Sequence, residues 1–287
     1  MALDYSTDAS TLGMRLHENR PYGEDEEREM TQQRSGGAID WREWLRRWDR
    51  QQTRYLPFRE ERFNAMFDAL EALLPTAFVA LDLGCGPGSL SQRLLARFPN
   101  ARAIAIDQDP LLLAMGQGAL GDIGGRLRWI DANLREPSWR EQIGVESVDV
   151  ALSTTALHWL PPDHLVRLYT ELGTLICLDG LFLNGDHMAD APGMEPFARV
   201  RDLVNQREER AAEQDGAESW RGWWDAVASE PALAGLVAER ERRLPESAHG
   251  DFELTYELHV AALGNAGFRS VGVLWQRLDD RVLLAVR

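Results

Sequence analysis

The sequence contains no lysine, because all 31 of its basic residues are arginine. This absence excludes lysine Schiff-base chemistry, pyridoxal phosphate held on a lysine, and the phosphate-binding lysine of a P-loop. Cysteine is scarce as well, with Cys85 and Cys177 as the two examples. Two cysteines build neither a disulfide framework nor a cysteine-based zinc site.

The chain also has fewer basic than acidic residues, and it lacks long apolar runs. The chain has 46 acidic residues and a net charge of −15 over 287 residues. Such a chain repels polyanions on average, so we expect no nucleic-acid partner. The first 30 residues lack the apolar stretch of a signal peptide, and no later run is long enough to span a bilayer. We therefore expect a soluble, cytoplasmic protein with no membrane partner.

Two segments precede the first expected strand. Residues 1–38 are polar and acidic, which predicts a flexible arm that stays disordered or folds over a bound ligand. Residues 39–75 predict two amphipathic helices, the first of them capped by Asp40. Its apolar positions follow helical spacing, at Trp41, Trp44, Leu45 and Trp48. We expect this face to pack in the core, or alternatively to close over a ligand pocket.

Strands and helices alternate through residues 76–187. Apolar runs predict strands at 77–83, 101–107, 126–131, 147–153 and 180–186. This alternation is typical of an α/β fold with a doubly wound, mostly parallel sheet. Residues 188–250 are charged and helical in pattern, which predicts a cap over the carboxyl edge of the sheet. Residues 251–287 return to the core with a helix and an antiparallel hairpin.

A glycine-rich turn follows the first strand, in ALDLGCGPGSL at residues 80–90. Ligands of an open α/β sheet bind beyond the carboxyl ends of the strands, where glycines let the backbone approach closely. The G-x-G-x-G spacing at 84–88 differs from the dinucleotide pattern G-x-G-x-x-G, because Ser89 stands at its last position. Pro87 also removes a backbone N–H that a pyrophosphate would use. The turn therefore predicts a ligand without phosphate and argues against a nicotinamide-dependent oxidoreductase.

Polar residues also end the second and third strands. The carboxylate of Asp107 is placed to accept both hydroxyls of a ribose. Asp131, Ala132 and Asn133 form a short polar turn suited to the amino group and ring nitrogen of adenine. Because the three strands are successive, their ends converge, and the sequence predicts a nucleoside site.

The order and spacing of these motifs resemble the class I (Rossmann-like) S-adenosylmethionine-dependent methyltransferases, in their small-molecule subgroup. The similarity covers residues 77–186 and 252–287. Its motifs are D-x-G-x-G-x-G at 82–88, the acidic strand end at 107–110, the turn at 131–133 and a fourth motif at 148–160. The resemblance implies a seven-stranded sheet of order 3-2-1-4-5-7-6, to which the N-terminal helices and the cap are additions. It also implies S-adenosyl-L-methionine as the methyl donor and S-adenosyl-L-homocysteine as the product.

The same resemblance assigns residues to the donor. It implies that Gly84 and Gly86 line the methionine moiety, that Asp107 holds the ribose, and that Asp131 or Ala132 contacts adenine. Asp82 would order the loop and reach the amino group through water. The remaining residues expected on the donor side are Cys85, Gln108, Asn133, Ser153 and His158.

The residues expected to act on the methyl acceptor follow the fourth and fifth strands. Methyl transfer needs a general base only if the acceptor arrives protonated. The candidate catalytic residues are His158, Asp186 and His187, with pocket-wall or turn-capping roles as the alternative. No metal is expected, because Ser153 stands where some members of this fold place an acidic ligand.

Aromatic and arginine side chains suggest the walls of the site. We expect Trp159 beside the methyl donor. Other aromatic rings are expected to contact a flat or apolar acceptor, or alternatively to bury the cap against the core. These other candidate substrate-binding residues are Trp48, Tyr55, Trp223 and Trp224. Arg59 and Arg62 are expected on a solvated helix face, with pairing to the donor carboxylate as the alternative.

These patterns together predict an enzyme that methylates a small molecule at O, N or C, and an aromatic or hydrophobic metabolite suits it best. The chain is expected to be a monomer or homodimer. Three alternatives remain: methylation of a protein or tRNA, a catalytically silent binding module, and the disfavoured oxidoreductase. An Asn/Asp-Pro-Pro-Tyr type motif for exocyclic amines is missing from residues 153–156.

Overall fold

A computed structural model describes residues 39–191, 193–214, 216, 218–244, 252 and 254–287. The expected acidic arm at 1–38 lies outside these residues. The described strands are β1 (Val79–Leu83), β2 (Arg102–Asp107), β3 (Leu127–Asp131), β4 (Val148–Thr154), β5 (Ile176–His187), β6 (Ser270–Arg277) and β7 (Asp280–Val286). They form one sheet of order β3-β2-β1-β4-β5-β7-β6. The predicted doubly wound sheet and its strand order are therefore confirmed.

Helices connect the strands and extend beyond them. The helices are α1 (Trp41–Tyr55), α2 (Arg59–Leu73), α3 (Ser89–Arg97), α4 (Pro110–Leu120), α5 (Trp139–Gln142), α6 (Pro162–Leu175), α7 (Glu195–Gln214), α8 (Trp220–Ala228), α9 (Ala234–Arg243) and α10 (Tyr256–Asn265). Within the described residues, no helix is both long and apolar enough to cross a bilayer.

The first five strands run parallel, and the last two form the expected antiparallel hairpin. Pairing is parallel from β3 through β5, and antiparallel where β7 meets β5 and β6. Two buried apolar clusters cover the two faces of the sheet. Because parallel strands end at one edge, the carboxyl ends of β1 to β5 meet there.

Local residues explain where the elements begin and end. The Asp40 side chain caps α1 by accepting a hydrogen bond from the backbone N–H of Glu43 at 3.0 Å, as predicted. Strand β5 begins before the predicted residue 180. Gly180 allows this extension, since a Cβ there would lie 2.6 Å from the Cγ2 of Ile176. Helix α10 begins directly after Thr255, which caps it by accepting from the N–H of Leu258 at 3.3 Å.

The N-terminal helices and the cap helices meet through tryptophan rings. The ring centroids of Trp48 and Trp223 are 5.0 Å apart, and those of Trp44 and Trp223 are 5.9 Å apart. Helix α9 is tied to the sheet edge, because Arg240 pairs with Asp109 at 2.7 Å. These contacts hold α1, α8 and α9 over the carboxyl ends of the strands.

Candidate active site

A cavity of about 550 Å³ opens at the carboxyl edge of the sheet, between the strand ends and the helices above them. This volume lies within the range of small-molecule and cofactor sites. The predicted site residues that line the cavity are Trp48, Tyr55, Gly84, Cys85, Gly86, Asp107, Gln108, Ala132, Asn133, His158, Trp159, His187 and Trp224.

The glycine turn after β1 brings backbone close to the cavity. Gly84 has a φ of +65°, and a Cβ there would lie 2.5 Å from the Cβ of Ala156. Gly86 has a φ of +54°. Its N–H donates a 2.7 Å hydrogen bond to Oδ2 of Asp107. The turn therefore needs glycine for conformation and for space, and it is tied to the end of β2.

Asp107 ends β2 with both carboxylate oxygens engaged by backbone. Its Oδ1 accepts from the N–H of Asp109 at 2.9 Å. Burial, followed by the nearby charge of Asp109, raises the pKa of Asp107 to about 6. A carboxylate has about four lone-pair sites, so Asp107 retains capacity to accept hydrogen bonds from a ligand.

Asp82 and Asp131 lie in β1 and at the end of β3, the two strands that flank β2. Asp82 is buried under the glycine turn, where Oδ2 accepts from the hydroxyl of Ser91 at 2.6 Å. Its Oδ1 has no hydrogen-bond partner among the described residues. Asp131 is half exposed at the rim, and both its oxygens lie 2.7 Å from Nη1 of Arg243 on α9. Ala132, rather than Asp131, lines the cavity beside Asn133.

His158 and Asp186 form a hydrogen-bonded pair. Nδ1 of His158 lies 2.7 Å from Oδ1 of Asp186, and the His158 backbone N–H donates to Oδ2 at 3.2 Å. Asp186 is 1% exposed, whereas the imidazole keeps 27% of its surface accessible. Burial alone would raise the pKa of Asp186, but the imidazole and the Arg62 guanidinium outweigh it and lower that pKa. An ionised carboxylate thus orients the ring.

A second histidine lines the cavity from the end of β5. Nδ1 of His187 lies 3.4 Å from Oδ2 of Asp279, in the hairpin between β6 and β7. Partial burial would lower the pKa of His187, but the hydrogen bond and charge of Asp279 raise it. His187 therefore carries positive charge more readily than a free imidazole.

Aromatic rings form one side of the cavity. We call the five aromatic residues that line it the aromatic wall: Trp48, Tyr55, Trp159, Trp220 and Trp224. The Tyr55 hydroxyl accepts a 2.8 Å hydrogen bond from the N–H of Trp220, joining α1 to α8. Trp223 is instead fully buried, and its ring packs edge-on against Trp48 and Trp224.

Ser153, Arg59 and Arg62 also differ from the sequence-based expectation. Ser153 is fully buried and donates to the carbonyl of Leu83 at 2.8 Å, so it braces β4 against β1. Arg59 and Arg62 are buried, not on the expected solvated face. Arg59 lines the cavity and pairs with Asp49 at 2.7 Å. This pairing compensates the cost of burying its charge.

Sequence reasoning missed several cavity residues. They are Gln52, Thr154, Thr155, Arg135, Arg240 and Arg243. The two threonines follow directly after predicted β4, so the rule that ligands bind at strand ends could have identified them. The two cap arginines, Arg240 and Arg243, lie on a charged helix of the predicted cap, but its sequence does not indicate which of its charged side chains face the cavity.

The sheet order and the glycine turn define the fold of a class I methyltransferase. A family model described as "Methyltransferase domain" matches residues 80–180. A trans-aconitate 2-methyltransferase of Escherichia coli is 32% identical over 235 residues, which cover 71% of this chain and 88% of that enzyme. A trans-aconitate 2-methyltransferase from Azoarcus sp. is 35% identical over 122 residues, which cover 42% of this chain and 44% of that enzyme.

Solved structures share the fold at low sequence identity. Magnesium protoporphyrin IX methyltransferase from Synechocystis, solved with bound S-adenosylhomocysteine, gives a TM-score of 0.52 at 15% identity. The alignment covers 85% of this chain and 94% of that one. The chain covers about half the length of several other solved methyltransferases.

The chain belongs to the class I S-adenosylmethionine-dependent methyltransferases. It is a methyltransferase enzyme, and S-adenosyl-L-methionine is its methyl donor. The family, fold and donor expected from the sequence are therefore confirmed.

Proposed function

We propose that the protein transfers a methyl group from S-adenosylmethionine to a hydroxyl of a small, flat and largely apolar acceptor. The observation that carries this proposal is the His158–Asp186 pair beside the cavity. A methyl acceptor needs a base when its nucleophilic oxygen arrives protonated. A hydroxyl meets that condition at neutral pH, whereas a carboxylate is already ionised.

The strand ends fit the donor. The glycine turn leaves open the space that a Cβ at Gly86 would narrow, and the Asp107 carboxylate lines the cavity with capacity for a further hydrogen bond. In our proposal Gly84 and Gly86 hold the methionine part, Asp107 accepts the ribose hydroxyls, and Ala132 with Asn133 faces adenine. When bound, the donor supplies an electrophilic methyl group on a sulfonium.

The histidine supplies the proton acceptor. Asp186 accepts the Nδ1–H of His158, which fixes the neutral tautomer with its lone pair on Nε2. That nitrogen takes the proton of the acceptor hydroxyl as the oxygen becomes methylated. The buried carboxylate then stabilises the imidazolium, because opposite charges interact strongly away from water.

The cavity walls support an aromatic or apolar acceptor. The aromatic wall offers flat surfaces for stacking. Arg59, Arg240 and Arg243, which also line the cavity, each pair with a carboxylate of the protein. Their charge is thus largely balanced within the chain.

Trans-aconitate is the second candidate acceptor, because the Escherichia coli relative is aligned over 88% of its length. A tricarboxylate would have to compete with Asp49, Asp109 and Asp131 for Arg59, Arg240 and Arg243. The fourth cavity arginine, Arg135, donates to the carbonyl of Trp159 at 2.8 Å. The tricarboxylate would also have no proton for His158 to remove. Both features favour the hydroxyl acceptor.

The test uses donor labelled in its methyl group. Purified protein is incubated with a panel of phenols and hydroxylated aromatics, with trans-aconitate, and with a metabolite extract, and products are identified by mass spectrometry. We expect label in a methyl ether, and its loss with the His158→Ala variant. Label confined to an ester of trans-aconitate would overturn the proposal.

The proposal also covers the oligomeric state of the protein and its binding partners. We expect a monomer or homodimer that requires neither nucleic acid nor membrane. Light scattering of the purified chain tests the first expectation, and unchanged turnover after nuclease treatment or added lipid vesicles tests the second.

A further inference from the structure

We propose that Arg62, on a helix outside the methyltransferase core, is a positioning residue that fixes residues 154–156 at the end of β4 between the donor and the His158–Asp186 pair. Arg62 touches neither reactant in this proposal. The part that concerns the histidine pair rests on the proposed function, whereas the part that concerns the strand end does not.

The guanidinium of Arg62 is fully buried and joins two separate strand ends. Nη2 donates to the hydroxyl of Thr154 at 2.6 Å and to that of Thr155 at 2.7 Å. Nη1 donates to Oδ1 of Asp280 at 2.8 Å, at the start of β7. A planar fork of donors can hold all three oxygens at once, which a single ammonium group does with less directional control.

The segment that Arg62 holds needs restraint. Thr155 has a φ of +53°, a left-handed conformation that costs a β-branched residue free energy. Its N–H donates to the carbonyl of Gly185 at 2.9 Å, and Arg62 secures its hydroxyl. Arg62 therefore maintains a backbone conformation that the threonine would not otherwise prefer.

The same segment touches the donor side. Ala156 packs so closely on Gly84 that any Cβ at Gly84 would clash with it. Thr154, Thr155 and Ala156 all line the cavity, and His158 follows two residues later. A shift of residues 154–156 would thus move the wall of the donor site and the imidazole together, and small misplacements of reacting groups cost much rate.

Arg62 also lies close to the carboxylate that orients His158. Its side chain runs against Gly185, where a Cβ would lie 3.0 Å from the Arg62 Cδ. The charged or titratable groups that act electrostatically on or with Asp186 are His158, Arg62, His187, Tyr169 and His259. The Arg62 cation favours the ionised state of Asp186, which is the state that the histidine requires.

The experiment compares Arg62→Met and Arg62→Lys with a matched control, Arg54→Met. Arg54 is also largely buried and pairs with Glu209 and Glu213 on α7, but it is not among the residues that line the cavity. The measurements are turnover against pH, with a phenolic acceptor from the panel above, and S-adenosylhomocysteine affinity by calorimetry. Melting temperature is recorded for each variant.

We expect Arg62→Met to lower kcat at least tenfold and to weaken S-adenosylhomocysteine binding less. Loss of the buried cation also moves the acidic limb of the kcat profile to higher pH, because Asp186 then holds a proton more tightly. Arg62→Lys should return that limb toward its original position. Arg54→Met should change melting temperature without moving the limb.

Thr155→Val provides a milder test if Arg62→Met does not fold, since it removes one of the hydroxyls to which Arg62 donates. It should lower kcat, and it should do so less in the Arg62→Lys background than in the native one. Arg62 variants that match Arg54→Met in kcat and pH profile would overturn the proposal. Full turnover in His158→Ala, with Arg62→Met still impaired, would instead reject the proposed base and leave the strand-positioning role standing.

Discussion

The Nδ1 atom of His158 lies 2.7 Å from the Oδ1 atom of Asp186, whose side chain is 1% exposed. Asp186→Asn replaces the acceptor with an amide that no longer demands the Nδ1–H tautomer. We expect turnover to fall by about 10²- to 10⁴-fold, the range of general-base contributions. S-adenosylhomocysteine affinity should change little, because the substitution lies on the acceptor side. Single-turnover rates measure the effect on catalysis, and calorimetry measures the effect on S-adenosylhomocysteine binding. Undiminished turnover would show that the His158–Asp186 pair does not act in the mechanism.

Donor binding should depend on pH through Asp107, whose pKa burial raises to about 6. In the proposed donor site the ionised form of Asp107 accepts the ribose hydroxyls, so proton uptake below pH 6 should oppose binding. For a single proton, we expect S-adenosylhomocysteine affinity to fall about tenfold from pH 7 to pH 5. Asp107→Asn should bind weakly at both pH values. Burial also raises the pKa of Asp82 to about 6, so Asp82→Asn is the matched control and should retain the trend.

Glycine at position 84 should be needed for space as well as for conformation. Gly84 and Gly124 have similar φ angles of +65° and +68°, but a Cβ at Gly124 meets nothing within 4 Å. Alanine at either position carries left-handed strain of about 1 kcal/mol. Gly84→Ala should lose about 1–3 kcal/mol more, from its clash with Ala156. Denaturant unfolding measures the loss of stability in each variant. Equal losses for Gly84→Ala and Gly124→Ala would show that Ala156 moves aside at no cost.

His259 should make the fold sensitive to acid. Its Nδ1 lies 2.6 Å from the hydroxyl of buried Tyr169, and burial lowers the pKa of His259 to about 4 although Asp186 acts to raise it. The unfolded chain takes up this proton near pH 6.5, whereas the folded chain resists until about pH 4. Stability present above pH 6.5 is therefore lost as pH falls toward 4, by about 3 kcal/mol for this group.

The variant His259→Gln isolates that contribution from the other titrating groups. Wild type should be the more stable protein at pH 7, and its advantage should shrink as the pH falls to 5. Unfolding free energies at several pH values provide the measurement. Parallel pH curves for the two proteins would mean that His259 is not the group that titrates.

The parts of the molecule governed by local pattern were predictable from sequence. The alternation of strands and helices and the G-x-G-x-G turn predicted the fold and the sheet edge at which the cavity opens, because short-range periodicity and strand-end chemistry suffice there. The direction of a side chain on a helix was harder to predict. Arg59 and Arg62 looked like solvated positions, yet acidic partners distant in sequence, Asp49 and Asp280, allow both to be buried.

Long-range packing explains the other differences. Nothing near Trp223 in the sequence distinguishes it from Trp224, but α8 directs Trp223 into the core and Trp224 into the cavity. Asp131 likewise carries the pattern of an adenine contact, while Arg243 from the cap engages its carboxylate. The environment of these side chains depends on how each helix packs against the rest of the protein. The residues next to them in the sequence do not indicate that packing.

The tryptophan cluster gives the enzyme an optical property of its own. Trp48, Trp220 and Trp224 face the cavity, and their ring centroids lie 5.6, 5.7 and 6.4 Å apart in pairs. Excited indoles this close exchange energy, so a molecule stacking on any one of them alters the emission of the group. Acceptors that stack on the aromatic wall, as we propose, should therefore be detectable by intrinsic fluorescence, before any product is known and with no dye attached to the chain.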